Sequence, residues 1–133
     1  MNKLTGKIIF IESSPHMSMV DIDVDGDIFS SIVLETPASA DYLKKGNSVD
    51  LLFKETEVSI GKNLSGLISL RNRFKATVIR IERSEILAKI FLKYKDQEIV
   101  SIITSRSVQK LGLIDGDAVE WLVKTNEVSL CSP

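Results

Sequence analysis

Apolar and polar residues alternate along much of this chain. "SMVDIDV" at 18–24 and "RFKATVIRIE" at 73–82 show the pattern well. A period of two places one side of a segment on a core and the other in solvent, which predicts strands. "KLTGKIIFIE", "IFSSIVLE" and "VDLLFKE" in the first half, and "ILAKIFLKY", "EIVSIIT" and "AVEWLVKT" in the second, are similarly rich in β-branched residues. "DGD" at 25–27 and "KDQ" at 95–97 fall between such runs and suit hairpin turns.

The two halves are copies. A shift of 70 positions lays Asn2 on Asn72, Ile9 on Ile79, Ile11-Glu12 on Ile81-Glu82 and Ser31-Ile32 on Ser101-Ile102. Leu43 then falls on Leu113, Gly46 on Gly116, Lys54 on Lys124, and Glu57-Val58-Ser59 on Glu127-Val128-Ser129. Such collinearity means one supersecondary unit used twice. The expected domains are 1–62 and 68–133, joined through the glycine-containing stretch "GKNLSGLI". Five short strands per copy would curl into a small barrel, because a flat sheet of that size leaves its edges open. The expected fold is all-β: two tandem five-stranded OB-like barrels, each with one short helix. Whether each barrel uses consecutive residues or the two exchange a strand stays open at this stage.

The helices are expected at "TPASADYL" and "TSRSVQKL", where Thr36 and Thr104 are good N-caps and Ser39 and Ser107 follow three residues later. Aligning these T-x-x-S motifs needs a two-residue gap in the 70-residue shift. A helix start offers backbone N–H groups without helical partners, and two hydroxyls beside them suit an oxyanion, although the same residues can simply cap. Lys54 and Lys124 each end an apolar strand at matching positions. Arg71, in "SLRN" at 69–72, adds a planar guanidinium suited to bidentate capture. Together these donors have the chemistry of a site for a small tetrahedral dianion.

Composition narrows the alternatives. Of 133 residues 44% are hydrophobic, enough for folded cores, while 17 basic and 18 acidic side chains nearly cancel. That balance lacks the electrostatic footprint of a nucleic-acid or anionic-membrane binder, so an anion must be caught locally. Aromatic residues are only 6%, and Phe10, Phe29, Phe53, Phe74, Phe91 and Trp121 lie in apolar strand text, which argues against a base-stacking surface. No run approaches the roughly 20 apolar residues needed to cross a bilayer, and no signal-peptide pattern opens the chain. The single Cys131 and single His16 exclude an internal disulfide and thiolate or histidine metal clusters, which fits a reducing, cytoplasmic setting. Asp21, Asp23, Asp25 and Asp27 alternate into a turn without EF-hand spacing, and no phosphate loop or dinucleotide fingerprint is present. An enzyme is not expected.

Two tandem units, the "SLRNRFKATV" entry and "SIITSRSVQKLGLIDGDAV…LVK" resemble the molbindin, or Mop, family of molybdate-binding (TOBE) domains. "NKLTGKI…TPASADYLKKGNSV…LFKETEVSI" resembles a second such domain, so the likeness covers nearly the whole chain. The resemblance implies OB-like barrels, a homo-oligomer that is typically a trimer of two-domain chains, and molybdate or tungstate bound where subunits meet. It implies that Ser69, the backbone at Leu70, Arg71 and Asn72 form one half of a site, with Asn72 shaping the turn rather than touching the ion. Thr104, Ser107 and Lys124 of a neighbouring subunit would complete it. Leu70 replaces a usually small residue, which is tolerable if only its amide is used. In the first copy no S-x-R precedes Asn2, so Thr36, Ser39 and Lys54 are expected to form a weaker or incomplete site. The implied role is storage or homeostasis of the oxyanion in the cytoplasm, without a bare metal cation, nucleic acid or membrane. The alternative is a molybdate-responsive sensor module acting on a partner protein.

Overall fold

The computed structural model describes residues 1–133. The first half supplies strands β1 (Asn2–Ser13), β2 (Ser18–Val24), β3 (Asp27–Val33) and β4 (Ser48–Phe53), followed by the short β5 (Ser59–Gly61). The second supplies β6 (Asn72–Arg83), β7 (Leu87–Tyr94), β8 (Gln97–Thr104), helix α1 (Ser105–Leu111), β9 (Ala118–Val123) and the short β10 (Ser129–Cys131). Alternation predicts the strands well: β2 buries every second residue from Ser18 to Val24. Both hairpins form where expected, with Asp25 and Gly26 at positive φ (49° and 94°) between β2 and β3, and Lys95 at φ 53° between β7 and β8. In the first hairpin two successive positive φ angles turn the chain with the twist the flanking strands require.

The repeat is preserved as a repeat of register. Asn2 faces Phe53 across β1 and β4, and Asn72 faces Val123 across β6 and β9. A bulge interrupts β1 between Ile8 and Phe10 and β6 between Val78 and Arg80, at matching places. Gly46 and Gly116 each donate to the bulge residue, Ile8 and Val78, from turns at φ 92° and 91°.

The sheets are nevertheless not built from consecutive residues. Their strand orders are β10-β4-β1-β2-β3 and β5-β9-β6-β7-β8, so each barrel takes its short fifth strand from the other copy. The compact units are residues 1–53 with 124–133, and residues 54–123. This corrects the contiguous division at 1–62 and 68–133. In each sheet the borrowed strand also approaches the opposite edge, β10 toward β3 and β5 toward β8, which curls the sheet toward closure.

Each unit has its own core. In the first, Leu4, Ile8, Val20, Ile22, Phe29 and Leu51 are almost fully buried. In the second, Phe74, Tyr94 and Trp121 pack with centroids 5.2–5.9 Å apart, the Tyr94–Trp121 pair edge-on. The matching positions of the first copy are Leu4, Val24 and Leu51, so aliphatic packing does there what aromatic packing does here. Large buried apolar side chains of this kind each contribute about 1.5–3 kcal/mol. Phe10, whose apolar strand context suits a core or an interface, is 57% exposed.

Only one of the two expected helices forms. Residues 105–111 are helical, capped by Thr104, whose side chain accepts from the Ser107 N–H, and ended by Gly112 in the left-handed conformation. Residues 36–46 are turns instead. Ala40 N–H reaches the Thr36 carbonyl, but the pattern stops after one turn, and the Ser39 hydroxyl accepts from the Thr36 N–H in place of a threonine cap. Two causes act together. From its threonine to the conserved-register glycine the first copy is two residues shorter, and Lys44 stands where Gly112 supplies the left-handed stop.

Candidate functional site

The expected site residues fall into two groups. Ser69 and Arg71 are exposed and Leu70 is half-buried in the segment entering β6, whereas Asn72 is fully buried as the first residue of that strand. A buried residue paired with Val123 in the ladder shapes the chain rather than meeting solvent. Lys124 directly follows Val123, so the register leaves Arg71 and Lys124 flanking the same Asn72–Val123 rung, both exposed. Lys124 also opens a one-turn 3-10 helix, Thr125–Glu127, with its carbonyl accepting from the Glu127 N–H.

Lys54 repeats this arrangement in the first copy. It follows β4, opens the 3-10 turn Glu55–Glu57 and accepts from the Glu57 N–H. Both lysines stand where the chain leaves one unit for the other. Each crossover is tied down a few residues later by a buried serine. Ser101 Oγ donates to the Val58 carbonyl at 2.6 Å, and Ser31 Oγ to the Val128 carbonyl at 2.6 Å.

Thr104 and Ser107 lie elsewhere on the sheet. Thr104 pairs with Leu87, next to Ala88, which pairs with Arg83 at the far end of β6. Asn72 and Arg83 are the two ends of this 12-residue strand, about 36 Å of chain at about 3.3 Å per step. Followed through β7, the ladder sets the SLRN segment and the T-x-x-S motif at opposite ends of β6. Followed through the closing strand β5, Ser107 lies beside Ser59, whose ladder partner is Leu122, next to the Val123 that pairs with Asn72. Direct donors to one tetrahedral anion must converge within about 3 Å of it.

The helix start has fewer open donors than the sequence suggested. The Ser105 N–H is used by the Ile86 carbonyl, and the Ser107 N–H by Thr104 Oγ1 at 3.0 Å. Thr104 Oγ1 donates in turn to Ser107 Oγ at 2.9 Å, which orients the Ser107 hydroxyl to give its own proton outward. Beside Ser107 is a hollow of about 330 Å³ lined by Ser59 and Ile60 of the exchanged strand, Ile103, Lys110 and Leu111. Lys110 brings a cation there that the motif reading did not single out. In the first copy Thr36 and Ser39 share one turn, while Tyr42 donates to Glu35 at 2.5 Å. Partial burial, then that carboxylate, pushes the Tyr42 hydroxyl above its ordinary range, so it remains a donor.

Two ion pairs brace the second unit and were not evident from motifs. Arg73 holds Glu120 across β6 and β9 through both carboxylate oxygens, which keeps the Glu120 carboxyl below its usual range. Lys62 reaches Asp117 at 3.0 Å and the Gly112 carbonyl at 3.1 Å, tying the residue after β5 to the end of α1. The Ile114 N–H, then Lys62, hold the Asp117 carboxyl low. Only the two-residue alternation of β6 hinted at these partners.

Comparison with known proteins agrees with this architecture. The TOBE domain family model matches residues 68–130. The molybdenum import ATP-binding protein ModC of Brucella abortus is 39% identical over 87 residues, 65% of this chain and 24% of that protein. ModC of Brucella suis gives the same figures, so the chain spans about a quarter of the length of the curated relatives it matches. The crystal structure of the cytoplasmic molybdate-binding protein ModG with molybdate bound superposes with a TM-score of 0.92 at 29% identity, covering 99% of this chain and 96% of that one. A molybdate-binding protein from Sporomusa ovata is 42% identical, with a TM-score of 0.50, and is covered completely by half of this chain. With two units of this kind in succession, matched over almost its full length by a two-unit relative, the chain belongs to the molbindin (Mop) family as a tandem member.

Proposed function

We propose that this protein binds molybdate or tungstate and holds it for storage or homeostasis, without transforming it. In this reading Ser69, the Leu70 amide and Arg71 of one chain face Thr104, Ser107 and Lys124 of a second, with Asn72 fixing the turn. A homo-oligomer, a trimer in the simplest arrangement, brings the halves together. The observation that carries the reading is the full-length likeness to ModG crystallised with molybdate, in a chain that leaves Ser69, Arg71, Thr104 and Lys124 exposed. A guanidinium, an ammonium and hydroxyl donors match a dianion in charge and offer no base or nucleophile to change it. Thr36, Ser39 and Lys54 belong to a weaker second site, because the first copy lacks the capped helix that presents Thr104 and Ser107. Because such a site exists only in the assembly, ligand at a hundred times its Kd would stabilise the oligomer by about 2.7 kcal/mol.

Isothermal titration with molybdate and tungstate, against sulfate and phosphate, tests the proposal. Binding of both metal oxyanions with weak or no binding of the others is expected; no heat from either metal oxyanion refutes it. Arg71→Ala or Lys124→Ala should each weaken binding by about 2–5 kcal/mol, the cost of leaving a desolvated charge unpaired. Unchanged affinity in both would remove these residues from the site.

A further inference from the structure

The second unit carries a basic hollow on the outer face of β6, beginning three residues after Asn72, and the first unit carries a counterpart that is acidic on balance. The second-unit hollow, about 640 Å³, is lined by Lys75 and Thr77 of β6, Lys93 of β7 and Lys95 of the following turn, over a floor that includes the exposed apolar Leu64 and Ala118. Its single carboxylate is Glu120, which faces Lys75 across the ladder and is already held by Arg73. Three lysines therefore border one concavity whose one acid is already held by Arg73.

Register identifies the counterpart position by position. Thr77 pairs with Lys93 as Lys7 pairs with Asp23, and Lys75 pairs with Glu120 as Thr5 pairs with Asp50. The first-unit hollow, about 390 Å³, accordingly has Asp23 and Asp25 where the second has Lys93 and Lys95, and Thr5 where it has Lys75. Its backbone is tighter too: a Cβ at Gly6, the match of Ala76, would lie 2.5 Å from the Asp23 carbonyl oxygen. On the same register the first-unit hollow carries Lys7 with Asp23 and Asp25, a net acid, where the second carries three lysines and one glutamate, so the lysine cluster is particular to the second unit.

We propose that the hollow of residues 54–123 binds a small molecule bearing two or more linked phosphates, and that the first-unit hollow does not. Lysines spread over two strands and a turn suit several charged oxygens spaced along a chain better than one tetrahedral ion, since each ammonium is a separate point charge. The volume falls within the range of small-ligand sites. The apolar floor allows an attached ring, so inorganic tripolyphosphate and a nucleoside triphosphate are both probes of the shared chemistry.

The test is calorimetric titration of the full chain, saturated with molybdate, using tripolyphosphate, ATP and orthophosphate at physiological salt. Tripolyphosphate and ATP should bind at one site per chain, and orthophosphate at least about tenfold more weakly. Tighter binding of ATP than of tripolyphosphate would assign the floor to a nucleotide ring; equal binding would assign the site to phosphates alone. The Lys93→Gln/Lys95→Gln variant should lose at least about tenfold in affinity with an unchanged melting temperature, while Lys45→Gln, an exposed lysine of the first unit, should leave it intact. Asp23→Lys/Asp25→Lys should create a second site in the first unit, giving a gain-of-binding result that misfolding cannot mimic. Absence of binding by both polyphosphates, or binding that survives the double lysine change, overturns the proposal.

Discussion

Removing the Ser101 hydroxyl should loosen the exchange of strands. Ser101 is completely buried on β8 and donates to the carbonyl of Val58, which is itself 2% exposed and immediately precedes β5. At 2.6 Å the bond ties the crossing segment to the second barrel across 43 residues of sequence. Ser101→Ala deletes the donor and leaves a buried carbonyl without it. The cost is that of an unmet buried acceptor, about 1–3 kcal/mol, because water cannot easily replace the lost partner. For a chain of this size each kcal/mol moves the melting temperature by roughly 2–4 °C. A fall of about 3–10 °C in a circular-dichroism melt is expected. Hydrogen exchange should accelerate more at Ser59–Gly61 than in β7, since the lost anchor serves the exchanged strand. Ser31→Ala, which removes the equivalent bond to Val128, should behave alike in the first unit. If neither variant shifts the melt by more than about 1 °C, the serine anchors do not hold the exchange and the energetic argument is wrong.

Other expectations follow from individual contacts. Thr104→Ala removes a working helix cap and should cost about 1 kcal/mol in a denaturant titration. Thr36→Ala, where no cap forms, should stay within about 0.5 kcal/mol; equal losses would restore the second helix. Gly6→Ala should destabilise by about 1–3 kcal/mol, measured the same way, because its Cβ meets the Asp23 carbonyl and two β-branched side chains; a neutral result would mean β1 can shift freely. The Glu120 and Asp117 carboxyls are depressed by Arg73 and by the Ile114 N–H with Lys62. Lowered folded-state values give stability that is present at neutral pH and is lost as pH falls below the ordinary carboxylate range. Melts from pH 7 to pH 3 should therefore show a shallower acid decline in Glu120→Gln than in the parent, and identical slopes would contradict the pairing.

Much of this molecule was legible in its sequence because the repeat is a repeat of register. Asn2 and Asn72, Gly46 and Gly116, and the lysines ending β4 and β9 occupy equivalent places, and alternation located all eight long strands. The exchange of β5 and β10 was not legible. Both are three-residue strands preceded by the same E-V-S text, so nothing in either segment states which sheet edge it joins. Ser31 and Ser101 fasten the crossing segments through Val128 and Val58, but these are equivalent pairs of the repeat and do not themselves distinguish one sheet from the other. The first helix failed for a local reason: T-x-x-S supplies a start, but a helix also needs length and a stop, and the first copy lacks two residues and a glycine at Lys44. Of the candidate site, sequence proposes the donors Arg71, Ser107 and Lys124, while their placement follows only from the ladder, which sets Arg71 and Lys124 beside the Asn72–Val123 rung and Ser107 beyond the end of β8.

The most direct test of a site shared between chains is complementation. Arg71→Ala chains lack one half of each proposed site, and Thr104→Ala/Ser107→Ala chains lack the other, so neither should bind molybdate appreciably alone. After unfolding, equimolar mixing and refolding, random assortment should restore about one site in four, since each functional site needs an intact half from either variant. Calorimetry of the mixture should show that fraction of sites at near-parental affinity. Heat no greater than the sum of the two separate variants would contradict a site divided between chains.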